Sequence, residues 1–191
     1  MTAWLFSAFI SLLVVERGFE LWLSHRNAAW ARSAGAIEYG QRHLIWMKLL
    51  HTSFFVACLS EVWLLSPPFI PALGGLCLVA VLGSQALRYW VIATLGRRWN
   101  VAVLVLPGVS AVSSGPFRFL KHPNYLAVVV EGIAVPLLHS AYLTAICFSA
   151  LNAWLLAVRI RCEENALAVH ADYAERLGDR GRLLPTRSSR A

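Results

Sequence analysis

The chain has 191 residues, 58% of them hydrophobic and only 14% charged, with a formal net charge of +7. A mean hydropathy of +0.60 is more than the core of a soluble domain this long can absorb, so the bilayer is its natural solvent. The basic excess must then sit in a few short segments outside the membrane, where it reads as a topology signal and not as a nucleic-acid-binding surface.

A membrane helix needs about 20 mainly apolar residues, because about 30 Å of hydrocarbon is crossed at about 1.5 Å per residue. Five segments are expected to be such helices: 2–23, 43–65, 70–95, the short 125–138, and 140–158. The first has no basic flank ahead of it and no small-residue cleavage site behind it, so it reads as a retained helix. Between the third and fourth, 96–124 is broken by Pro107, Gly108, Gly115, Pro116 and Pro123; it is expected to be a loop with short strand or helical pieces. Only His139-Ser140 separates the last two segments, which predicts a tight helical hairpin whose first arm is short for a full crossing. The helix formers of 159–177 predict a cytosolic or interfacial helix continuing from the fifth segment. The Gly, Pro, Ser and Arg of 178–191 predict a mobile tail.

Charges fit these spans. Arg26, Arg32 and Arg42 fall after the first, Arg97, Arg98, Arg118 and Lys121 after the third, and a run of arginines from Arg159 to Arg190 after the fifth, whereas the other two connections carry no Lys or Arg. The expected topology is N-terminus outside and C-terminus cytoplasmic. Cys58, Cys77, Cys147 and Cys162 show no CxxC or Cys/His spacing, so no metal centre or disulfide framework is expected.

Some charges fall inside the spans: Glu16, Arg17 and Glu20 in the first, Lys48, His51 and Glu61 in the second, Arg88 in the third and Glu131 in the fourth. A charged group near mid-bilayer costs about 2.5 to 3.5 kcal/mol even on insertion scales. These residues should therefore face a polar cavity or each other, with Glu61 near an interface and Glu131 turned inward.

A second constellation forms where the hairpin meets the loop. Pro123 suits the first turn of the fourth helix, and the N–H groups of that helix start favour an anion. Arg159 and Glu163 share one helix face, with Glu164 beside them. An antiparallel hairpin then brings His122, Tyr125, Arg159, Glu163 and Glu164 together at the cytoplasmic membrane surface. Cations and N–H groups beside carboxylates suit a zwitterionic ligand.

The run Gly115-Pro116-Phe117-Arg118-Phe119-Leu120-Lys121-His122-Pro123-Asn124-Tyr125, followed after the hairpin by Arg159, Glu163, Glu164, Leu167 and Tyr173, resembles the isoprenylcysteine carboxyl methyltransferase family over 95–185. Departures are Lys121 where Arg usually precedes His-Pro, and Phe117 and Phe119 where Tyr is common. Glu16, Arg17, Glu20, the Ser24-His25-Arg26-Asn27 run, Trp30 and His51 resemble a bacterial branch that sits with type III polyketide synthases and methylates alkylpyrones or alkylresorcinols.

This resemblance implies an all-α integral membrane protein of one domain over 1–191, in a bacterial inner membrane. Helices in 1–95 would serve the acceptor, 96–185 a cytosolic cofactor pocket with the C-terminal helical hairpin, and 186–191 would be a tail. It implies an S-adenosylmethionine-dependent methyltransferase (EC 2.1.1.-) whose lipidic acceptor enters from the bilayer among membrane lipids. His122, Pro123, Tyr125, Leu126 and Glu164 would contact the cofactor and Arg159 and Glu163 the reacting centre, while Glu16, Arg17, Glu20 and His51 would bind the acceptor. A carboxylate acceptor needs no base; a phenol or pyrone enol does, and Glu163, His122 and His51 are all candidates. Rival readings are a prenylcysteine carboxyl acceptor, an NADPH-dependent sterol-type reductase, and a non-enzymatic membrane scaffold.

Overall fold

The computed structural model describes residues 2–185, nearly all of the regular structure being helical. Helix α1 (Ala3–Ser33) starts at Thr2, whose Oγ1 accepts from the Leu5 N–H at 3.3 Å. It continues well beyond residue 23, where its apolar stretch ends. Ala28, Ala29 and Ala31 and the arginines beside them are strong helix formers, so the backbone stays helical until the turn at Ala34 and Gly35.

After that turn, strand β1 (Ile37–Tyr39) pairs antiparallel with β2 (Val103–Val105), Ile37 opposite Val105 and Tyr39 opposite Val103. Strand β2 is one of the short pieces expected within 96–124, whereas the strand at 37–39 departs from the all-α expectation and adds a small ribbon to the helical fold. Val103 and Val105 pack with Tyr39 against Ala166 and Leu167, and three residues are too few for alternation to stand out in sequence.

Helices α2 (Gln41–Leu65) and α3 (Pro71–Leu95) occupy the expected segments. Helix α4 (Pro123–Leu137) begins on Pro123, and α5 (Tyr142–His170) joins the second arm of the hairpin to the expected cytosolic helix in one rod. That rod stops at Ala171, and the short α6 (Tyr173–Leu177) follows. Among the described residues, three helices are long and apolar enough to cross a membrane: Gln41–Leu65, Pro71–Arg98 and Tyr142–His170. Two of the five expected segments fall short on those measures, α1 because Glu16, Arg17 and Glu20 interrupt it and α4 because it has only 15 residues.

The main core lies within the bundle, where Phe6, Ile10 and Leu13 meet Phe54, Cys58, Val62, Val81, Val135 and Phe148. Glu61 ties α2 to this hairpin directly. Its carboxylate accepts from the backbone N–H of Leu143 (3.0 Å) and Thr144 (2.7 Å) and from Thr144 Oγ1 (2.7 Å). It thereby satisfies open N–H groups at the start of α5 and places negative charge at the positive end of the helix. Replacing Glu61 with Ala is expected to remove about 1 to 2 kcal/mol of stability, read as a lower melting temperature in detergent; an unchanged melting temperature would refute the cap.

Candidate active site

The turn at 115–118 returns the chain from α3 to the hairpin. Gly115 sits at φ +57, and a Cβ there would fall 2.4 Å from Thr94 Oγ1, so the turn closes against α3 only without a side chain. Beyond it, Lys121 N–H donates to Gly181 O at 2.9 Å and His122 N–H to Arg182 O at 3.0 Å. Arg180 Nη1 adds a bond to Phe117 O at 2.8 Å. Residues 178–185 are thus a docked strap and not the mobile tail expected of them. Backbone partners hold the strap, and composition does not reveal those. The expected tail over 186–191 lies outside the described residues.

The buried His122 ring stacks on Tyr125 with centroids 5.3 Å apart. His122 Nε2 lies 3.1 Å from Glu164 Oε1. Arg182 donates to both oxygens of that carboxylate, from Nε at 3.0 Å and from Nη2 at 2.6 Å. Tyr173 Oη closes the group 3.4 Å from His122 Nε2. Burial, with the Glu164 carboxylate beside it, pushes the Tyr173 phenol pKa up, so it stays protonated.

On the facing helix, Arg159 is only 5% exposed. Its Nε donates to Tyr125 Oη at 2.8 Å and its Nη2 to Val101 O, while Tyr125 Oη donates to Glu163. The Val101 N–H is itself held by Ser24 Oγ at 2.9 Å, and Asn27 Nδ2 donates to Trp99 O at 2.8 Å. The C-terminal end of α1 therefore positions the loop that Arg159 grips. Further along, Gly108 N–H donates to His170 O at 3.0 Å and Ala111 N–H to Asp172 Oδ1 at 2.7 Å. Arg176 and the Ala111 N–H hold the Asp172 carboxyl down at about 2, so this anchor is charged throughout the neutral range.

A cavity of about 1080 Å³ runs from this cluster down between the helices. His122, Pro123, Tyr125, Arg159 and Glu163 line one end, and Arg17, Glu20 and His51 line the part between the membrane helices. Leu126, Glu164 and Glu16 are not on its wall. Glu164 supports His122, and Glu16 accepts from Gln85 and Tyr89. Val14, Val15 and Leu21 of α1 and Val56 of α2 both line the cavity and are exposed, so the chamber is open between these two helices.

The intramembrane charges meet one another along the same cavity. Arg17 pairs with Glu20 at 2.8 Å and Glu16 at 3.3 Å, and donates to Gln85 Oε1 at 3.1 Å. Arg88 pairs with Glu131 and lies 3.6 Å from Glu20. Near them, His51 Nδ1 is 2.8 Å from Met47 O, and its ring stands edge-on to Phe148. Sequence reading did not place Arg182 or Gln85 at the site. A lone amide within an apolar span was the signal that could have found Gln85, whereas Arg182 lies in a Gly- and Arg-rich stretch that resembles any exposed tail. Among the described residues, no group of three or more His, Cys, Asp or Glu side chains is placed to hold a metal ion.

A Bacillus subtilis protein named "Uncharacterized protein YpbQ" is 40% identical over 164 residues, covering 85% of this chain and 96% of its own length. A Haemophilus influenzae protein named "Uncharacterized protein" is 29% identical over 157 residues, covering 82% and 91%. Residues 76–169, which include Gly115 to Tyr125 and Arg159 to Glu164, match the model of the isoprenylcysteine carboxyl methyltransferase (ICMT) family. With both walls of the hydrogen-bonded cluster inside that match, the chain belongs to the isoprenylcysteine carboxyl methyltransferase family.

Proposed function

We propose that this protein transfers a methyl group from S-adenosylmethionine to an oxygen of a lipidic acceptor in the membrane, a long-chain alkylpyrone or alkylresorcinol. The observation that carries the reading is one continuous cavity joining His122, Tyr125, Arg159 and Glu163 to an apolar chamber open between α1 and α2. Its volume, about 1080 Å³, is ample for two ligands side by side, since a single drug-sized ligand takes a pocket of a few hundred Å³ upward.

The residues at the polar end fit the donor. The start of α4 meets the cavity at Pro123 and Asn124; the Tyr125 and Leu126 N–H groups turn back to His122 O, so the Asn124 N–H and the positive end of the helix dipole are what favour a carboxylate there. Glu163 uses Oε2 for Tyr125 and keeps Oε1 for an ammonium or hydroxyl group. When bound, S-adenosylmethionine supplies a methyl group on a sulfonium, an electrophile that needs alignment and little else. The protein contributes fixed walls and a water-poor space. Glu164 and Arg182 immobilise His122, and the Arg159 guanidinium, gripped by Tyr125 and Val101, directs positive potential at an acceptor oxygen as its negative charge develops. The basic residues around 97–98 and 118–121 support a cytoplasmic cofactor end, with the N-terminus outside.

Purified protein in detergent is expected to bind S-adenosylmethionine in the micromolar range and NADPH far more weakly; the opposite order would replace the methyltransferase reading with a reductase. With labelled cofactor, an alkylpyrone or alkylresorcinol should accept the methyl group, and labelling confined to a farnesylcysteine analogue would overturn the acceptor. His122→Ala and Glu163→Gln should each lower turnover at least about tenfold, and wild-type rates in both would show that the site lies elsewhere.

A further inference from the structure

We propose that His51 is the general base that takes the hydroxyl proton of the acceptor. This rests on the methyl-transfer reading above and narrows it, because it confines the acceptor to lipids that arrive with a neutral O–H. An acceptor entering between α1 and α2 comes from hydrocarbon, where a charged oxygen is strongly disfavoured. Its proton must therefore be removed inside the cavity.

Of the three candidate bases, two are committed elsewhere. Glu163 accepts from Tyr125 through Oε2 and offers Oε1 to the methyl donor, and His122 Nε2 faces Glu164, both as parts of the wall around the start of α4. His51 is differently disposed. The Met47 carbonyl, 2.8 Å from Nδ1, can only accept, so Nδ1 carries the proton and Nε2 the lone pair. Nε2 has no hydrogen-bond partner among the described residues, and the side chain lines the cavity.

The position along the cavity also fits. His51 stands edge-on to Phe148 with centroids 5.4 Å apart, and Gly132 of α4 packs on the same Phe148 ring. His51 is thus level with Gly132, two turns of α4 from Tyr125, or about 10 Å. That distance has room for an oxygen about 3 Å from a methyl carbon and an O–H donating over about 3 Å to Nε2. In the step, the acceptor O–H breaks and its proton goes to Nε2. The oxygen electron pair forms the O–CH3 bond as the S–CH3 bond breaks and its pair stays on sulfur; the imidazolium later returns the proton to water. Arg17, Arg88 and Glu131 face His51 from α1, α3 and α4; the two guanidiniums oppose the charge that the ring acquires and the Glu131 carboxylate offsets it only in part, so the imidazolium is short-lived and gives its proton up again.

The test uses His51→Gln and His51→Asn, which keep a polar side chain but no basic nitrogen, with a pentadecylresorcinol and N-acetyl-S-farnesylcysteine as acceptors. Turnover of the resorcinol should fall about a hundredfold at neutral pH, with cofactor affinity and melting temperature unchanged. The wild-type rate should decline toward acid as the base is protonated, a limb absent from the variants. Variant turnover within about threefold of wild type on a resorcinol that the wild type methylates would sink the base alone. Loss of cofactor binding or of folding in both variants would make His51 structural and overturn the proposal. Methylation of the farnesylcysteine analogue only would overturn the hydroxyl acceptor, and the base with it.

Discussion

A guanidinium buried at the head of a membrane hairpin is tolerable only if its N–H groups find acceptors, since each buried donor left without one costs about 1 to 3 kcal/mol and more when it is charged. Arg159 meets that demand with atoms from different parts of the chain: Tyr125 Oη from α4 and the Val101 carbonyl from the loop after α3. Because Ser24 holds the Val101 N–H and Tyr125 donates to Glu163, one cation fixes the relative positions of α1, α4, α5 and the loop. The polar end of the cavity has its shape because these partners converge on Arg159.

A second group of charges solves a similar problem between the membrane helices. Glu16, Glu20 and Glu131 face Arg17 and Arg88 across α1, α3 and α4, three carboxylates to two guanidiniums. Glu20 Oε1 lies in ion-pair range of Arg88 but has no hydrogen bond of its own. In hydrocarbon such a set would be costly; here its members pair with one another along a polar strip of an otherwise apolar cavity. The two polar stations are separated by the apolar side chains of α2 and α4, a layout suited to a ligand with a polar head and a long tail.

The sequence was most legible where one local cause sufficed. Hydropathy located α2 and α3, Pro123 announced the start of α4, and the charges at 16, 17, 20, 88 and 131 could only face one another or a cavity. What escaped reading depended on partners distant in the chain. Glu61 looked like an interfacial charge because nothing near it in sequence shows that α5 begins beside it. The ribbon of 37–39 with 103–105 is too short to carry a period, and the strap at 178–185 has a disordered composition but borrows its backbone partners from 120–122. At the site, the motif residues His122, Tyr125, Arg159 and Glu163 were foreseen, whereas Arg182 was not, because its importance comes from Glu164 and not from its own neighbours.

The docking of 181–182 on 121–122 also bears on how the protein is made. Those residues leave the ribosome only after α1 to α5 have been synthesised, and His122 gains the Arg182–Glu164 clamp only then. The bundle can insert and pack while this wall is still unfinished. The wall around His122 is therefore completed by the part of the described chain that is synthesised last.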